Sequence, residues 1–300
     1  MAYARRKYGS YKARKRTKSS SRRVSYAKRR PYRRTKRTSR PVTKKRILNT
    51  TSRKKRDEML PFFQNGKGAS GASGPAQFTA ATGAVFCWAA TARDFTINTS
   101  GATGPVSYPA ARTATRCYMV GLKETIEIQT STGLPWQWRR ICFTKKGPLG
   151  LVAAPELETS YGEQRVLYNY NSGQSADLTD TQTLFGLLFN GTYGVDWTES
   201  LIAKTDKNRV SIKFDQTTTV SSGNASGKLF KKSMWMPMRS TLVYDDDESG
   251  MTETGSKYST TGRAGMGDYY VVDIIKAGIG GTSSDQIQFN PCSTLYWHER

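Results

Sequence analysis

The apolar positions of this chain are distributed unevenly. The first 56 residues carry almost none, and the remainder carries short apolar runs separated by turn-forming clusters. Residues 83–91 are rich in Val, Phe, Cys and Trp, and residues 116–130 end in alternation. There Leu122, Ile126 and Ile128 are set against Lys123, Glu124, Glu127 and Gln129. A period of two is the mark of a half-buried strand. Further strands are predicted at 136–143, 165–170, 183–189 (the weakest), 209–214, 228–235, 268–275 and 286–297. Gly, Ser, Thr, Asn and Pro clusters lie between them at 99–109, 171–175 and 221–227. No stretch sustains a helical apolar period over three turns, so no helix is predicted. Eight or nine strands joined by loops of very unequal length predict an all-β fold, a single antiparallel jelly-roll sandwich over residues 81–300.

Charge divides the chain at the same place. Of 47 Lys and Arg residues, 25 lie in residues 1–56, which contain no Asp or Glu; all 23 acidic residues follow. A disordered basic arm (1–56) is therefore expected, then a transition (57–80), then the sandwich. Beyond Ala and Met1 the arm's only aliphatic residues are Val24, Val42, Ile47 and Leu48, too few to offset the entropy of ordering it. The apolar patch Met59 to Phe63 is expected either to anchor the arm's exit or to be solvated, and residues 66–74 read as a Gly/Ser/Ala linker.

A polycation on a neutral body points to nucleic acid. The expected phosphate contacts are Arg5, Arg6, Lys7, Lys12, Arg14, Lys15, Arg16, Lys18, Arg22, Arg23, Lys28, Arg29, Arg30, Arg33, Arg34, Lys36, Arg37 and Arg40. Lys44, Lys45, Arg46, Arg53, Lys54, Lys55 and Arg56 complete the set. Tyr3, Tyr8, Tyr11, Tyr26 and Tyr32 are interleaved as candidate stacking partners for unpaired bases. Nothing in the arm reads a base pair, so binding is expected to be non-specific and steeply salt-dependent. The same runs resemble nuclear-import signals.

Catalytic and metal chemistry find little support. His298 is the only histidine, which removes Ser-His-Asp arrangements and paired-histidine metal sites. Cys87, Cys117, Cys142 and Cys292 lack ligand spacing and read as buried thiols in a reducing compartment, so no metal and no cofactor is expected. Asp245, Asp246, Asp247 and Glu248 form the one dense acidic cluster, read as a solvated turn, with a cation or an intersubunit contact as the alternatives. The longest wholly apolar run is far short of the ~20 residues of a membrane span, and no apolar region follows the basic start as in a secretory signal.

The body carries a resemblance. Tyr118 to Glu127 leading into Trp136-Gln137-Trp138-Arg139-Arg140-Ile141-Cys142-Phe143 resembles the corresponding region of genomovirus capsid proteins, relatives of the geminivirus coat proteins. Leu242-Val243-Tyr244-Asp245-Asp246-Asp247-Glu248-Ser249-Gly250 is similar as well. So are Gly265-Met266-Gly267-Asp268-Tyr269-Tyr270 and Thr294-Leu295-Tyr296-Trp297-His298-Glu299-Arg300. The resemblance spans about residue 115 to the end; the arm matches in composition only. It implies one jelly roll, 60 copies in a closed shell around circular single-stranded DNA, recognition by host nuclear-import receptors, and residence in the virion and the host nucleus. No Cys precedes Cys87, so the Cys/His finger described for some geminivirus coat proteins is not carried over. Arg139 and Arg140, adjacent on a strand, are expected to face opposite sides, with at most one reaching the shell interior. A cellular nucleic-acid-binding protein of ribosomal or chromatin type is the alternative, and it leaves the β body without a task. An enzyme using paired carboxylates leaves the arm without one.

Overall fold

The structure, a computed structural model, describes residues 43–97 and 102–300. The chain runs through helix α1 (Lys44–Thr51) and strands β1 (Arg53–Met59), β2 (Pro61–Gln64), β3 (Ala76–Thr79), β4 (Ala84–Ala89), β5 (Arg116–Thr130), β6 (Trp136–Lys145) and β7 (Arg165–Tyr168). It continues through helix α2 (Ser175–Leu188) and strands β8 (Ser211–Val220), β9 (Leu229–Val243), β10 (Asp268–Ala277) and β11 (Gln286–Glu299). The fold is mostly β with few helices.

Two antiparallel sheets dominate, one of five strands and one of four. The first has the order β1-β11-β5-β9, with β3 also pairing β11; the second has the order β8-β6-β10-β4. Strand β7 joins β2 in a parallel pair, and Asn169, the residue after it, bridges to Phe86 of β4. In the first sheet alternation decides which side is buried, whereas β4 and nearly all of β6 and β10 are buried on both sides. On β5, Cys117, Met119, Leu122, Ile126 and Ile128 are fully buried, and on β11 Ile287, Phe289, Leu295 and Trp297 are buried as well. The buried faces enclose two apolar clusters. One contains Cys87, Leu122, Cys142, Val271 and Leu295, the other Phe86, Ile126, Trp138, Ile275 and Phe289.

Between the clusters, at inward positions in the middle of their strands, sit Glu124, Arg140 and Asp273, joined by Arg165 from β7. Arg140 donates to both Asp273 oxygens (2.7 and 2.8 Å) and to Glu124. Arg165 donates to Glu124 at 3.1 Å and to Asp273 at 2.7 Å. Ser293 Oγ donates to Glu124 at 2.6 Å and Trp138 Nε1 to Asp273 at 2.7 Å. Burial lowers the Arg140 pKa, but Asp273 and Glu124 outweigh it and hold the guanidinium above its ordinary value. Burial pushes Asp273 up, while Arg140 and Arg165 pull it below the ordinary carboxylate range. Two cations and two anions are thus sealed between the sheets with their charges balanced, the only tolerable way to bury them.

Several sequence expectations are corrected. Residues 183–189 are not a strand. They close α2, whose buried stripe is Asp177, Asp180, Thr181, Leu184 and Leu188. Three of those five residues are polar, so apolar periodicity missed the stripe, and its polar members are bonded to neighbouring chain. Asp177 accepts from Lys67 N (3.0 Å) and Tyr168 (2.5 Å), Asp180 from Val152 N and Ala153 N (2.7 and 2.9 Å), and Thr181 donates to Tyr170 O (2.7 Å). The predicted strand at 209–214 begins at Ser211 and runs on to Val220. Residues 44–51 are helical and Arg53–Met59 is an edge strand of the first sheet, so the folded body starts inside the segment assigned to the arm. The 57–80 transition contains β2 and β3, and Met59 is a core residue. Cys87, Cys117 and Cys142 are buried thiols, but Cys292 is exposed.

Candidate nucleic-acid interface

The cations from Arg5 to Arg40 and the tyrosines Tyr3, Tyr8, Tyr11, Tyr26 and Tyr32 lie outside the described residues. What the structure places is the end of the basic segment. Lys44 and Arg46 are exposed on α1. Along β1, alternation then separates four consecutive cations. Arg53, Lys54 and Arg56 are exposed, whereas Lys55 is 4% exposed and points inward.

Lys55 is thereby corrected from phosphate contact to structural cation. Its Nζ donates to Val106 O at 2.8 Å and Tyr108 O at 2.7 Å, and lies 3.9 Å from Glu299. Burial lowers its pKa, with Glu299 opposing. Lys54, one residue earlier, donates to Asn49 O at 3.0 Å and stays at the surface.

Arg139 and Arg140 do face opposite sides, yet neither is available to phosphate. Arg140 belongs to the central quartet. Arg139 donates to both oxygens of Asp215 (2.9 and 2.8 Å), to Ser200 O (2.7 Å) and to Ala203 O (2.8 Å). The outer side of the second sheet is covered at this point by the chain that follows α2.

The acidic cluster divides in the same way. Asp246 forms a bidentate pair with Arg112 (2.5 and 2.9 Å) and accepts from Ser256 N at 2.9 Å, so it is spent inside the chain. Asp245, Asp247 and Glu248 are exposed. Among the described residues no group of three metal-ligating side chains converges, and no helix is long and apolar enough to cross a membrane.

Sequence reasoning missed the outer face of the first sheet. Register places Lys54, His298, Tyr118 and Thr241 in one row across four of its strands. The next row is Arg56, Tyr296, Gly121 and Pro237, and the one after is Glu58, Thr294, Lys123 and Trp235. Trp235 is 47% exposed and Tyr118 41%. The ring centroids of Trp235 and Tyr296 are 5.9 Å apart, those of Tyr118 and His298 6.1 Å. A Cβ on Gly121 would meet the Trp235 ring at 2.6 Å, so glycine is what lets that ring settle over β5. Lys54, Lys123, Trp235, Tyr296 and His298 line one shallow cleft. The available signal was the closing motif Thr294 to Arg300, in which alternation places Tyr296 and His298 on the side opposite the buried Trp297.

A second cleft mixes charges. Asp57, Arg93, Asp94, Arg112, Glu158 and Glu163 line it, with Arg93 donating to Asp57 at 3.1 Å and Lys257 lying 3.7 Å from Glu158. Burial pushes Glu163 up to about 7 against the pull of Arg93 and Lys257. Its carboxylates make it a poor seat for phosphate.

No family model matches this chain, and no curated protein matches it.

Proposed function

We propose that this chain is a viral capsid protein that assembles into a small closed shell and packages circular single-stranded DNA, without catalytic activity. The observation that carries this reading is the charge split: 25 cations and no anion in residues 1–56, attached to a neutral β body. Such a segment binds phosphate by counterion release without reading sequence. The basic runs double as nuclear-import signals, consistent with a protein of the virion and the host nucleus.

The strand order supports a jelly roll. From β3 the chain enters the second sheet with β4, returns to the first with β5, and crosses back for β6 and β8. It then alternates through β9, β10 and β11. That crossing pattern is how two Greek keys fold into one sandwich. With Lys55 buried, some 24 cations per copy remain. About sixty copies in a closed point group bring about 1,400 positive charges, enough to neutralise much of a single strand of a few thousand nucleotides.

Negative-stain microscopy of the full-length protein after nuclease treatment tests the reading. Uniform closed particles that still absorb at 260 nm are expected. Dispersed molecules stripped of nucleic acid would overturn it in favour of a cellular nucleic-acid-binding module.

A further inference from the structure

We infer that the outer face of the first sheet is a second binding surface for single-stranded nucleic acid, stacking unpaired bases on Trp235, Tyr296, Tyr118 and His298 while Lys54, Arg56 and Lys123 hold phosphate. The inference rests on the reading above, because it takes the same ligand and assigns it a place on the body.

Exposed aromatic side chains in contiguous rows mark an interaction surface, since water gains nothing from holding them apart. Here the two ring pairs span three successive rows, with Tyr118 and His298 in the first, Tyr296 in the second and Trp235 in the third. Tyr296 and His298 are two residues apart on β11, about 6.8 Å, twice the 3.4 Å base-to-base rise of a stacked strand. Bases laid along β11 would therefore be splayed, each on its own ring, which a duplex cannot offer without melting. The ring planes within the pairs are tilted by 59° and 38°, so neither pair closes into a parallel stack of its own. Burial and Lys54 hold the His298 pKa below its ordinary value, leaving a neutral ring at pH 7.

The cations beside these rings have no carboxylate partner. Among the described residues, Lys54, Arg56 and Lys123 form no ion pair, although Arg93, Arg112, Arg139, Arg140 and Arg165 all do. Glu58 and Glu127 share the face but pair with none of the three. Glu58 receives the Cys292 thiol, and Glu127 receives Gln129 Nε2 at 2.9 Å. A second copy docking this face on itself would set like charges against each other, whereas a phosphate backbone complements them. The face is also continuous with the basic segment, since Lys54 and Arg56 belong to the strand that closes it.

The test uses the full-length chain and a thymidine oligonucleotide of about 20 nucleotides carrying 4-thiothymidine, irradiated and mapped by peptide mass spectrometry. Adducts at Trp235, Tyr296 or Tyr118, in addition to the basic segment, are expected. Adducts confined to residues 1–56 would overturn the inference and leave the packaging reading standing. Absence of any binding would overturn both. The double variant Trp235→Ala/Tyr296→Ala should melt like the parent and bind the oligonucleotide about 5- to 100-fold more weakly at about 0.5 M salt, where screening suppresses the charge contribution. Unchanged affinity overturns the platform. So does unchanged affinity with loss of assembled particles, which would make this face a contact between copies.

Discussion

Lys123 and Glu124 are neighbours on β5, and they belong to different electrostatic worlds. Glu124 turns inward, is fully buried, and receives Arg140, Arg165 and Ser293. Lys123 turns outward beside Trp235 and has no acidic partner among the described residues. The centre of the sandwich spends its charges on itself, and the outer face of the first sheet leaves its cations for something else. The difference teaches that availability, not charge, identifies a phosphate contact. Of the cations on strands, Lys55, Arg139, Arg140 and Arg165 are already matched by carboxylates in the interior and are not free to bind.

The contrast is tested most severely at the centre. Arg140→Met leaves the quartet with a net negative charge sealed from water, and should cost about 3–5 kcal/mol in urea unfolding. Replacing all four members by apolar residues of similar volume should cost much less, because no uncompensated charge remains. A single-variant effect below about 1 kcal/mol would mean the quartet is not sealed.

The next effect is at Lys55. Lys55→Gln removes the ammonium that joins Val106 O, Tyr108 O and Glu299, and about 1–3 kcal/mol of stability should go with it. The salt dependence of oligonucleotide binding should not move, since this lysine was never available to phosphate.

Glu163 gives a smaller effect with a definite pH signature. Its pKa rises from 4.5 to about 7 on folding because burial disfavours the anion. Between those values the folded chain holds more protons than the unfolded one, so stability falls as pH rises through the window and levels off above it. Glu163→Gln should recover about 1–2 kcal/mol at pH 8 and nothing at pH 4.5, read from thermal melts at both. A gain of equal size at both pH values would show that ionisation is not the cause.

The smallest stability effect belongs to Lys54, the outward neighbour of Lys55. Lys54→Gln should stay within about 0.5 kcal/mol of the parent. The slope of log affinity against log salt should drop by roughly 0.7. If Lys54 and Lys55 exchanged these outcomes, the assignment of the two faces of β1 would be wrong.

Most of the strands were legible because a half-buried strand writes its period directly into the chain; β5 is read off Leu122, Ile126 and Ile128. Helix α2 was not, because Asp177, Asp180 and Thr181 occupy buried positions where apolar residues were sought. Strand β1 was hidden by composition. Four cations in a row look like solvated arm, and only pairing with β11 makes Arg53–Met59 the edge of a sheet. The stacking residues were half legible: alternation separates Tyr296 and His298 from Trp297, but no local pattern brings Trp235 and Tyr118 beside them.

The linear chain settled the charge split and the strand-rich body, because these follow from counting and from a period of two, but it set Glu124 among the outward residues of β5, where the structure buries it. It did not settle which cations remain free. Arg140 meets Glu124, 16 residues away, and Asp273, 133 residues away, while Arg139 meets Asp215 76 residues on. Those partners arrive only when the sheets close. Alternation gives a side chain its side; the fold decides whether that side is covered, and Coulomb energy at buried distances then fixes which charges are already matched.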